Sequence, residues 1–312
     1  MADVKKIATR ESYGNALKDL AEEFPQLVVL DADLAGATKT GIFKKAYPDR
    51  HIDCGIAESN MMGIAAGLSL SGKIPFASSF AMFAAGRAFE QVRNSIGYPH
   101  LNVKIGATHA GLTVGEDGAS HQCNEDIALM RTIPGMVVMC PSDDIEAKAC
   151  VRAALEHVGP VYIRFGRAAV PVINDKPDYK FEIGKGQIVR EGKDVTIVAT
   201  GIMVDSAIQA AEKLAADGID AEVINICTIK PLDKDIIVNS AKKTGKVVTC
   251  EEHSVIGGLG SAVCDALAEE YPVKVKKIGM QDVFGESGSA SDLLKKYGLD
   301  GEGVYKQVKE FV

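Results

Sequence analysis

Several signatures of common protein classes are missing from the 312-residue sequence. No stretch approaches the ~18 consecutive apolar residues of a membrane-crossing helix, and the first residues contain no apolar core like that of a signal peptide. The formal net charge is −7, so the basic face typical of a nucleic-acid-binding protein is also missing. We therefore expect a cytoplasmic protein that binds neither membrane nor nucleic acid.

The cysteines show no metal or disulfide pattern. There are seven, an odd number, and no two are spaced C-x-x-C. Four lie in or beside apolar runs: Cys140, Cys150, Cys227 and Cys250. This distribution favours buried free thiols in a reducing compartment over a zinc site or a disulfide framework.

Three familiar catalytic or nucleotide-binding motifs are absent as well. The sequence contains no G-x-x-x-x-G-K-[ST], no H-E-x-x-H and no G-x-S-x-G, so a P-loop, a zinc protease and a serine hydrolase have no support. The stretch GGLGSAV (257–263) follows a strand pattern and opens a helix pattern. Because it lacks the third glycine of a dinucleotide motif and lies late in the chain, we interpret it as a tight strand-to-helix turn.

Short β-branched runs alternate with longer helical patterns along the chain. This alternation is typical of a parallel sheet that is covered by helices on both faces. The predicted strands of the first half are 27–34, 73–80, 102–109, 136–142 and 160–166, and the predicted helices are 12–24, 58–72, 82–97 and 143–159.

A second βα series begins at residue 194, after a stretch rich in proline, glycine and charge that we interpret as a linker with one or two short strands. In this series AEVINICTI (221–229) is predicted to be a single strand. The sequence thus predicts an α/β fold with two doubly wound domains, over 1–170 and 194–312, joined by a linker over 171–193.

The stretch THAGLTVGEDGASHQ (108–122) gathers two histidines, two adjacent carboxylates and three glycines. It follows a predicted strand, and ligands of open parallel sheets bind beyond the carboxyl ends of the strands. Histidine titrates near neutrality, and glycine lets the backbone approach a ligand closely. The spacing matches no metal motif, so we favour an acid–base and substrate-binding loop over a metal site or an exposed polar loop.

Three further patterns each have a structural and a functional interpretation. Glu58 opens a helix of small and apolar residues, where it is either a first-turn glutamate worth about 0.3–1 kcal/mol or a poorly solvated carboxyl suited to proton exchange. Phe80 and Phe83 either belong to the core or line a pocket for a flat ring. Arg10 and Arg167 are surface residues if taken singly, but as a converging pair they would suit a phosphate group.

The segments DADLAGA, GIAESNMMG, SSFAMF, TH…GEDGASHQ and GPVYIRFGR, in this order, resemble the C-terminal half of transketolases, which depend on thiamine diphosphate. The resemblance covers nearly the whole chain and implies a pyrimidine-binding domain followed by a transketolase C-terminal domain. The implied activity is the transfer of a two-carbon ketol unit from a ketose phosphate to an aldose phosphate.

The resemblance also implies roles for individual residues. Glu58 would hydrogen-bond the aminopyrimidine ring of the cofactor, Phe80 and Phe83 would pack on that ring, and Asp33 would lie near the cofactor where two subunits meet. A third aromatic of the family is replaced here by Gly86, which implies a thinner wall or one filled from elsewhere. On the substrate side the implied residues are Arg10, His109 and Arg167 for the sugar phosphate, Asp117 for a hydroxyl, and His121, with His109, for the reaction centre.

Two departures from the family pattern shape the expectation. Ala37, with Thr38 next to it, takes the place of a serine that helps to bind substrate. The G-D-G that anchors the diphosphate and its metal is absent; EDG at 116–118 belongs to another loop. We therefore expect no metal ligands here, and a separate transketolase N-terminal subunit that binds Mg²⁺ or Ca²⁺ with the diphosphate in an α2β2 assembly.

Three alternatives remain open at this point. The beta subunit of a 2-oxo acid dehydrogenase has a similar plan but does not usually carry the TH…GEDG-x-x-HQ loop. The C-terminal part of deoxyxylulose-phosphate synthase shares the H-Q pair and the strand end CPSDD, but usually lacks a histidine at position 109. The third alternative is a non-catalytic binding protein that keeps the fold.

Overall fold

The computed structural model describes residues 5–312, which form two layered α/β units. The strands are β1 (Lys6–Ala8), β2 (Leu27–Asp31), β3 (His51–Asp53), β4 (Ile74–Phe80), β5 (Lys104–Thr108), β6 (Val137–Met139), β7 (Val161–Arg164), β8 (Ala169–Pro171), β9 (Gln187–Arg190), β10 (Val195–Ala199), β11 (Ala221–Asn225), β12 (Thr228–Lys230), β13 (Lys246–Ser254) and β14 (Lys274–Met280).

The α-helices are α1 (Thr9–Leu20), α2 (Ala35–Thr38), α3 (Gly41–Ala46), α4 (Glu58–Leu70), α5 (Phe89–Gln91), α6 (Asp126–Arg131), α7 (Asp144–Glu156), α8 (Met203–Ala216), α9 (Lys234–Thr244), α10 (Leu259–Glu270), α11 (Ala290–Lys296) and α12 (Gly301–Phe311). Short 3-10 turns cover Pro48–Arg50 and Leu112–Asp117, and π-helical turns cover Met82–Arg87 and Val92–Gly97. Within residues 5–312 no helix has the length and apolar character needed to cross a membrane.

The first unit is built on a seven-stranded sheet in the order β12-β6-β7-β5-β4-β2-β3. Every pairing is parallel except that of β12 with β6. The central strands β2, β5 and β7 are buried along their whole length, which explains their nearly continuous apolar runs. Their carboxyl ends lie at one edge of the sheet, where Phe80, His109 and the loop after β5 come together.

The second unit has a five-stranded sheet in the order β14-β13-β10-β11-β9. Its pairings are parallel except that of β9 with β11. The predicted α/β class with two doubly wound units is confirmed. The segment between them contains the two short strands β8 and β9; β8 pairs with β1, whereas β9 completes the second sheet.

The single strand predicted over 221–229 is wrong. The backbone changes sheets at 226–227: the Ile226 N–H donates to the Ala199 carbonyl in the second sheet, and the Cys227 carbonyl accepts from the Cys140 N–H in the first. As a result β11 lies in one sheet and β12 at the edge of the other. Both segments are apolar and buried, so hydrophobic periodicity alone has no means of detecting the change of sheet.

The helix predicted over 82–97 is interrupted. Two π-helical turns, Met82–Arg87 and Val92–Gly97, flank the short helix α5. A π-turn adds a residue to the helical repeat and redirects the side chains around it, a feature frequent at functional sites. Here the first such turn lies directly after β4, at the edge of the sheet that holds the candidate site.

Candidate active site

Glu58 lies in the first turn of α4 and is 2% exposed. Its Oε2 accepts a hydrogen bond of 2.9 Å from Nη1 of Arg87, which comes from the π-helical turn after β4. Met61 and Met62, on the next turn of α4, are fully buried. Glu58 is therefore both a first-turn glutamate and a carboxylate in apolar surroundings, with one charged partner to balance it.

Four rings form an aromatic cluster beside this carboxylate. The Phe80 and Phe83 rings are nearly parallel, with centroids 6.0 Å apart and planes at 12°. Phe80 stacks on the His109 imidazole at 3.8 Å, and His121 meets the edge of Phe83 at 5.4 Å. The guanidinium of Arg87 lies 4.5 Å from the Phe83 ring centroid. Parallel aromatic planes next to a buried carboxylate suit a flat heterocycle with a ring nitrogen.

Basic groups converge on the other side of His109. Its Nε2 lies 3.3 Å from Nη1 of Arg10, and its Nδ1 lies 2.9 Å from the Thr108 hydroxyl. Burial, then the charges of Arg10 and Arg167, lower the pKa of His109 to about 3. Burial and then the charge of Arg167 also lower the pKa of Arg10. The two arginines thus act on one site, and His109 is neutral at physiological pH.

The loop after β5 is a pair of 3-10 turns over Leu112–Asp117 with a kink at Gly115. Nη1 of Arg167 donates to the Val114 carbonyl and to the Glu116 carboxylate, so this arginine is held by the loop. Within residues 5–312 the exposed Asp117 side chain makes no hydrogen bond or ion pair, and the Nδ1 of His121 lies 3.0 Å from the Ser120 hydroxyl.

Asp33 lies apart from the cluster. It has a left-handed backbone conformation (φ 61°), and its N–H donates to Oδ1 of Asp53 at 3.1 Å. In the part of the chain that the structure describes, its exposed carboxylate has no hydrogen-bond partner. The structure brings together seven of the predicted site residues: Glu58, Phe80, Phe83, His109, His121, Arg10 and Arg167. Within residues 5–312 the side chains of Asp33 and Asp117 make no hydrogen bond or ion pair with them.

The two departures from the expected pattern have structural counterparts. The Met82 side chain lies over Gly86, where a Cβ would collide with its terminal methyl, so a methionine fills the space beside the missing aromatic. Thr38 is buried, and its hydroxyl donates to the Asp31 carboxylate at 2.7 Å, so the protein itself occupies this hydroxyl. The Ala37 carbonyl instead accepts a hydrogen bond of 2.7 Å from Arg10.

Sequence reasoning missed three residues that shape the site: Arg87, Gln122 and Glu252. Arg87 follows Phe83 by four residues, a spacing that brings helical side chains together and offers a usable signal. Gln122 belongs to the H-Q pattern, which by itself assigns no role to the glutamine. Glu252 lies on a strand more than a hundred residues later in the sequence and binds the loop after β5. No local sequence pattern predicts such a contact.

No group of three or more histidine, cysteine, aspartate or glutamate side chains suited to a metal ion occurs within residues 5–312. At the GGLG turn the Leu259 and Gly260 N–H groups donate to the Glu251 carboxylate at 2.7 and 2.8 Å. Those amides are therefore occupied by the protein itself, which agrees with the predicted structural turn and leaves no dinucleotide site there.

Comparison with known proteins identifies relatives over both units. The family described as "Transketolase, pyrimidine binding domain" matches residues 5–172, and "Transketolase, C-terminal domain" matches residues 184–304. A Methanocaldococcus jannaschii protein named "Putative transketolase C-terminal section" is 52% identical over 96% of this chain and 95% of its own length. An apulose-4-phosphate transketolase subunit of Phocaeicola vulgatus is 40% identical over 98% of each chain.

The "6-deoxy-6-sulfo-D-fructose transketolase subunit SqwH" of a Clostridium species is 45% identical over 96% of this chain and 93% of its own. A solved structure described as "Split gene transketolase, inactive beta4 tetramer" is 56% identical, covers 98% of both chains and superimposes with a TM-score of 0.90. Human transketolase is 36% identical over 98% of this chain but only 49% of its own length.

Proposed function

Because the chain belongs to the transketolase family, we propose that it is the C-terminal, pyrimidine-side subunit of a split transketolase. In this proposal it transfers a two-carbon ketol unit from a ketose phosphate to an aldose phosphate, together with a separate N-terminal subunit. The observation that carries the proposal is the buried Glu58 carboxylate, which pairs with Arg87, together with the Phe83 ring that Arg87 covers and that is nearly parallel to Phe80.

The residues present fit one half of thiamine diphosphate. When bound, this cofactor would supply a nucleophilic thiazolium carbon for the transfer of the two-carbon unit. Glu58 would share a proton with a nitrogen of the pyrimidine ring, while Phe80 and Phe83 pack on that ring and exclude water. Arg87 bonds only to Oε2 of Glu58, and no donor within residues 5–312 bonds to Oε1, so one carboxylate oxygen is available to the ring nitrogen.

The substrate side is suited to an anionic sugar. Arg10, His109 and Arg167 would bind its phosphate, since the guanidinium fork matches phosphate oxygens. The neutral imidazole of His109 can donate or accept a hydrogen bond without carrying charge into the site. His121, at the edge of the Phe83 ring, would move protons at the reacting carbons, and Asp117 would accept a hydrogen bond from a sugar hydroxyl. Asp33 would approach the cofactor only at the boundary with another subunit.

The diphosphate and its Mg²⁺ or Ca²⁺ would be bound by the N-terminal subunit, in an α2β2 assembly in the cytoplasm. Three observations support this division: the sequence lacks G-D-G, residues 5–312 hold no metal-ligand cluster, and three relatives that match over more than nine-tenths of their own length carry names of sections or subunits. The matching families are those of transketolases, which weighs against a 2-oxo acid dehydrogenase or a deoxyxylulose-phosphate synthase. The presence of Glu58, His109 and His121 in one cluster weighs against a non-catalytic protein.

Reconstitution tests the proposal. The purified chain is mixed with its N-terminal partner, thiamine diphosphate, Mg²⁺, xylulose 5-phosphate and ribose 5-phosphate, and the formation of a seven-carbon sugar phosphate is measured. We expect transfer from the mixture and none from either chain alone. Transfer by the isolated chain would refute the dependence on a partner. No transfer from the mixture, together with consumption of pyruvate in a parallel mixture that contains pyruvate in place of the sugar phosphates, would favour a 2-oxo acid enzyme.

A further inference from the structure

We propose that Gln122 is a positioning residue that fastens residues 112–118, the site loop, to the second α/β unit. The inference rests on the proposed function for its kinetic readout, because the site loop carries Asp117 and packs on Arg167. Its structural basis is independent of the reaction. The site loop follows β5 of the first sheet but packs against residues of the second unit.

Gln122 bridges the two units directly. It is 3% exposed, and its Nε2 donates toward three backbone carbonyls: Leu112 at 3.1 Å, Gly115 at 3.3 Å and Glu286 at 2.9 Å. The first two belong to the site loop, and the third belongs to the segment that leads into α11 of the second unit. One buried amide therefore joins both ends of the loop's first turn to the neighbouring unit.

The glycines of the stretch 108–122 have the same orientation toward the second unit. Gly111, Gly115 and Gly118 all have positive φ angles, between 74° and 84°. A Cβ added to Gly111 would lie 2.8 Å from the Glu252 carbonyl oxygen, and one on Gly118 would lie 2.5 Å from the Ser287 hydroxyl. One on Gly115 would lie between the two units, 3.1 Å from Nη1 of Arg167 and 3.3 Å from the Gly288 carbonyl oxygen. The sequence suggested that these glycines allow a ligand to approach the backbone closely. In the structure they allow the second unit to do so.

A buried carboxylate anchors the start of the loop. Glu252 of β13 is 3% exposed and accepts the Thr113 N–H through Oε1. Its backbone carbonyl accepts a hydrogen bond of 2.8 Å from Arg164, and Arg164 pairs with Asp126 at 2.9 Å. The residues expected to act on the cofactor all belong to the first unit: Glu58, Phe80 and Phe83. Weakening the contacts between the site loop and the second unit should therefore disturb sugar binding and leave the activation of the cofactor unchanged.

The closing experiment uses the assembled enzyme and a pair of variants. Gln122→Ala removes the bridging amide, and Gly285→Ala in the second unit places a Cβ on Oε1 of Gln122, at a glycine without a left-handed backbone. Each should raise the KM for the ketose phosphate about tenfold, the loss expected for one buried hydrogen bond, while the hydrogen–deuterium exchange at C2 of thiamine diphosphate keeps its rate.

The double variant distinguishes positioning from general damage. Once residue 122 is alanine, the Cβ at position 285 meets no amide and retains only its approach of 3.1 Å to Cδ1 of Leu112. The two effects should therefore be clearly less than additive. Gln307→Ala is the matched control: its Nε2 also donates to two backbone carbonyls, Gly298 at 2.8 Å and Gly303 at 3.3 Å, but remote from the site loop. We expect it to lower thermal stability without changing KM.

Two results would overturn the inference. One is that Gln122→Ala and Gly285→Ala have additive effects on the KM for the ketose phosphate, and the other is that neither variant changes this KM. Amide hydrogen exchange of residues 112–118, measured by mass spectrometry, separates this failure from failure of the proposed function. It should become faster in Gln122→Ala and stay unchanged in Gln307→Ala even if the enzyme acts on a different substrate. Unchanged protection of the site loop in Gln122→Ala would refute the positioning role directly.

Discussion

The smallest unit of the proposed chemistry is one carboxylate with one charged partner. The Glu58 side chain is almost completely withdrawn from water, and the Arg87 guanidinium on its Oε2 is the only hydrogen-bond donor to it within residues 5–312. A buried carboxylate is costly to keep charged without such a partner. Arg87 therefore balances the charge of the carboxylate and leaves its other oxygen, Oε1, without a donor.

Substitution of Arg87 tests this arrangement. Arg87→Met keeps an apolar contact with Phe83 but removes the charge, and we expect turnover of the assembled enzyme to fall about tenfold, in line with the loss of a hydrogen bond to a charged group. Arg87→Lys should recover part of the loss because it restores the positive charge. Equal turnover of the arginine, lysine and methionine forms would show that the ion pair has no part in catalysis.

His109 shows where sequence reasoning about a residue type fails. Histidine draws attention because it titrates near neutrality, but burial and the nearby Arg10 and Arg167 lower its pKa to about 3. The sequence draws attention to this residue at the edge of the sheet but does not give its charge. Charge depends on the groups that folding brings near, and Arg10 lies 99 residues away along the chain.

At the scale of elements, β13 carries an unusual run of buried titratable groups: Glu251, Glu252 and His253. Burial is the main cause in each case. It raises the pKa of Glu251 and of Glu252 to about 7, whereas it lowers the pKa of His253 to about 4. The two carboxylates have structural partners: Glu251 binds the first N–H groups of α10, and Glu252 binds the site loop.

The pKa of Glu252 predicts a pH dependence of stability. Because its pKa is higher in the folded chain than the ordinary 4.5, the folded state binds an extra proton between pH 4.5 and 7. Its contribution to stability is thus fully present below pH 4.5 and is lost as the pH rises through 7. Glu252→Gln keeps an acceptor for the Thr113 N–H but does not titrate.

We therefore expect the free energy of unfolding of the parent, relative to Glu252→Gln, to fall by roughly 3 kcal/mol at most between pH 4.5 and 7.5. Urea unfolding at a series of pH values measures this difference. Glu251 and His253 are unchanged in both proteins, so their titration largely cancels. Two stability curves that stay parallel over this pH range would contradict the assigned role of burial.

For the molecule as a whole, the alternation of strands and helices and the positions of the cluster residues were predictable. Each depends on local patterns, such as the buried runs of β2 and β5 or the glutamate at the start of α4. Three features were not predictable from the sequence: the crossing of the chain between sheets at 226–227, the π-helical turns, and the contacts of the site loop with the second unit. These depend on which distant backbone groups complete a hydrogen-bond ladder, and Gln122 and Glu286 are 164 residues apart.

The second unit is consequently part of the site. Strand β12, which follows β11 of the second unit, forms the edge of the first sheet. Hydrogen bonds of Gln122 to Glu286 and of Thr113 to Glu252 connect the site loop to the second unit. The first unit bears the residues that would act on the pyrimidine ring. In the proposed assembly the diphosphate end lies on a third body, the N-terminal subunit, and a complete site requires all three.

The most direct test of this account is the exchange of the C2 proton of thiamine diphosphate for deuterium, followed by NMR after rapid quenching. We predict fast exchange in the assembled parent, and exchange no faster than in free solution with either subunit alone. We also predict exchange slowed by at least about a hundredfold in an intact assembly containing Glu58→Gln, the scale of a lost acid–base group. Fast exchange in the Glu58→Gln assembly would contradict the central claim that this carboxylate activates the cofactor.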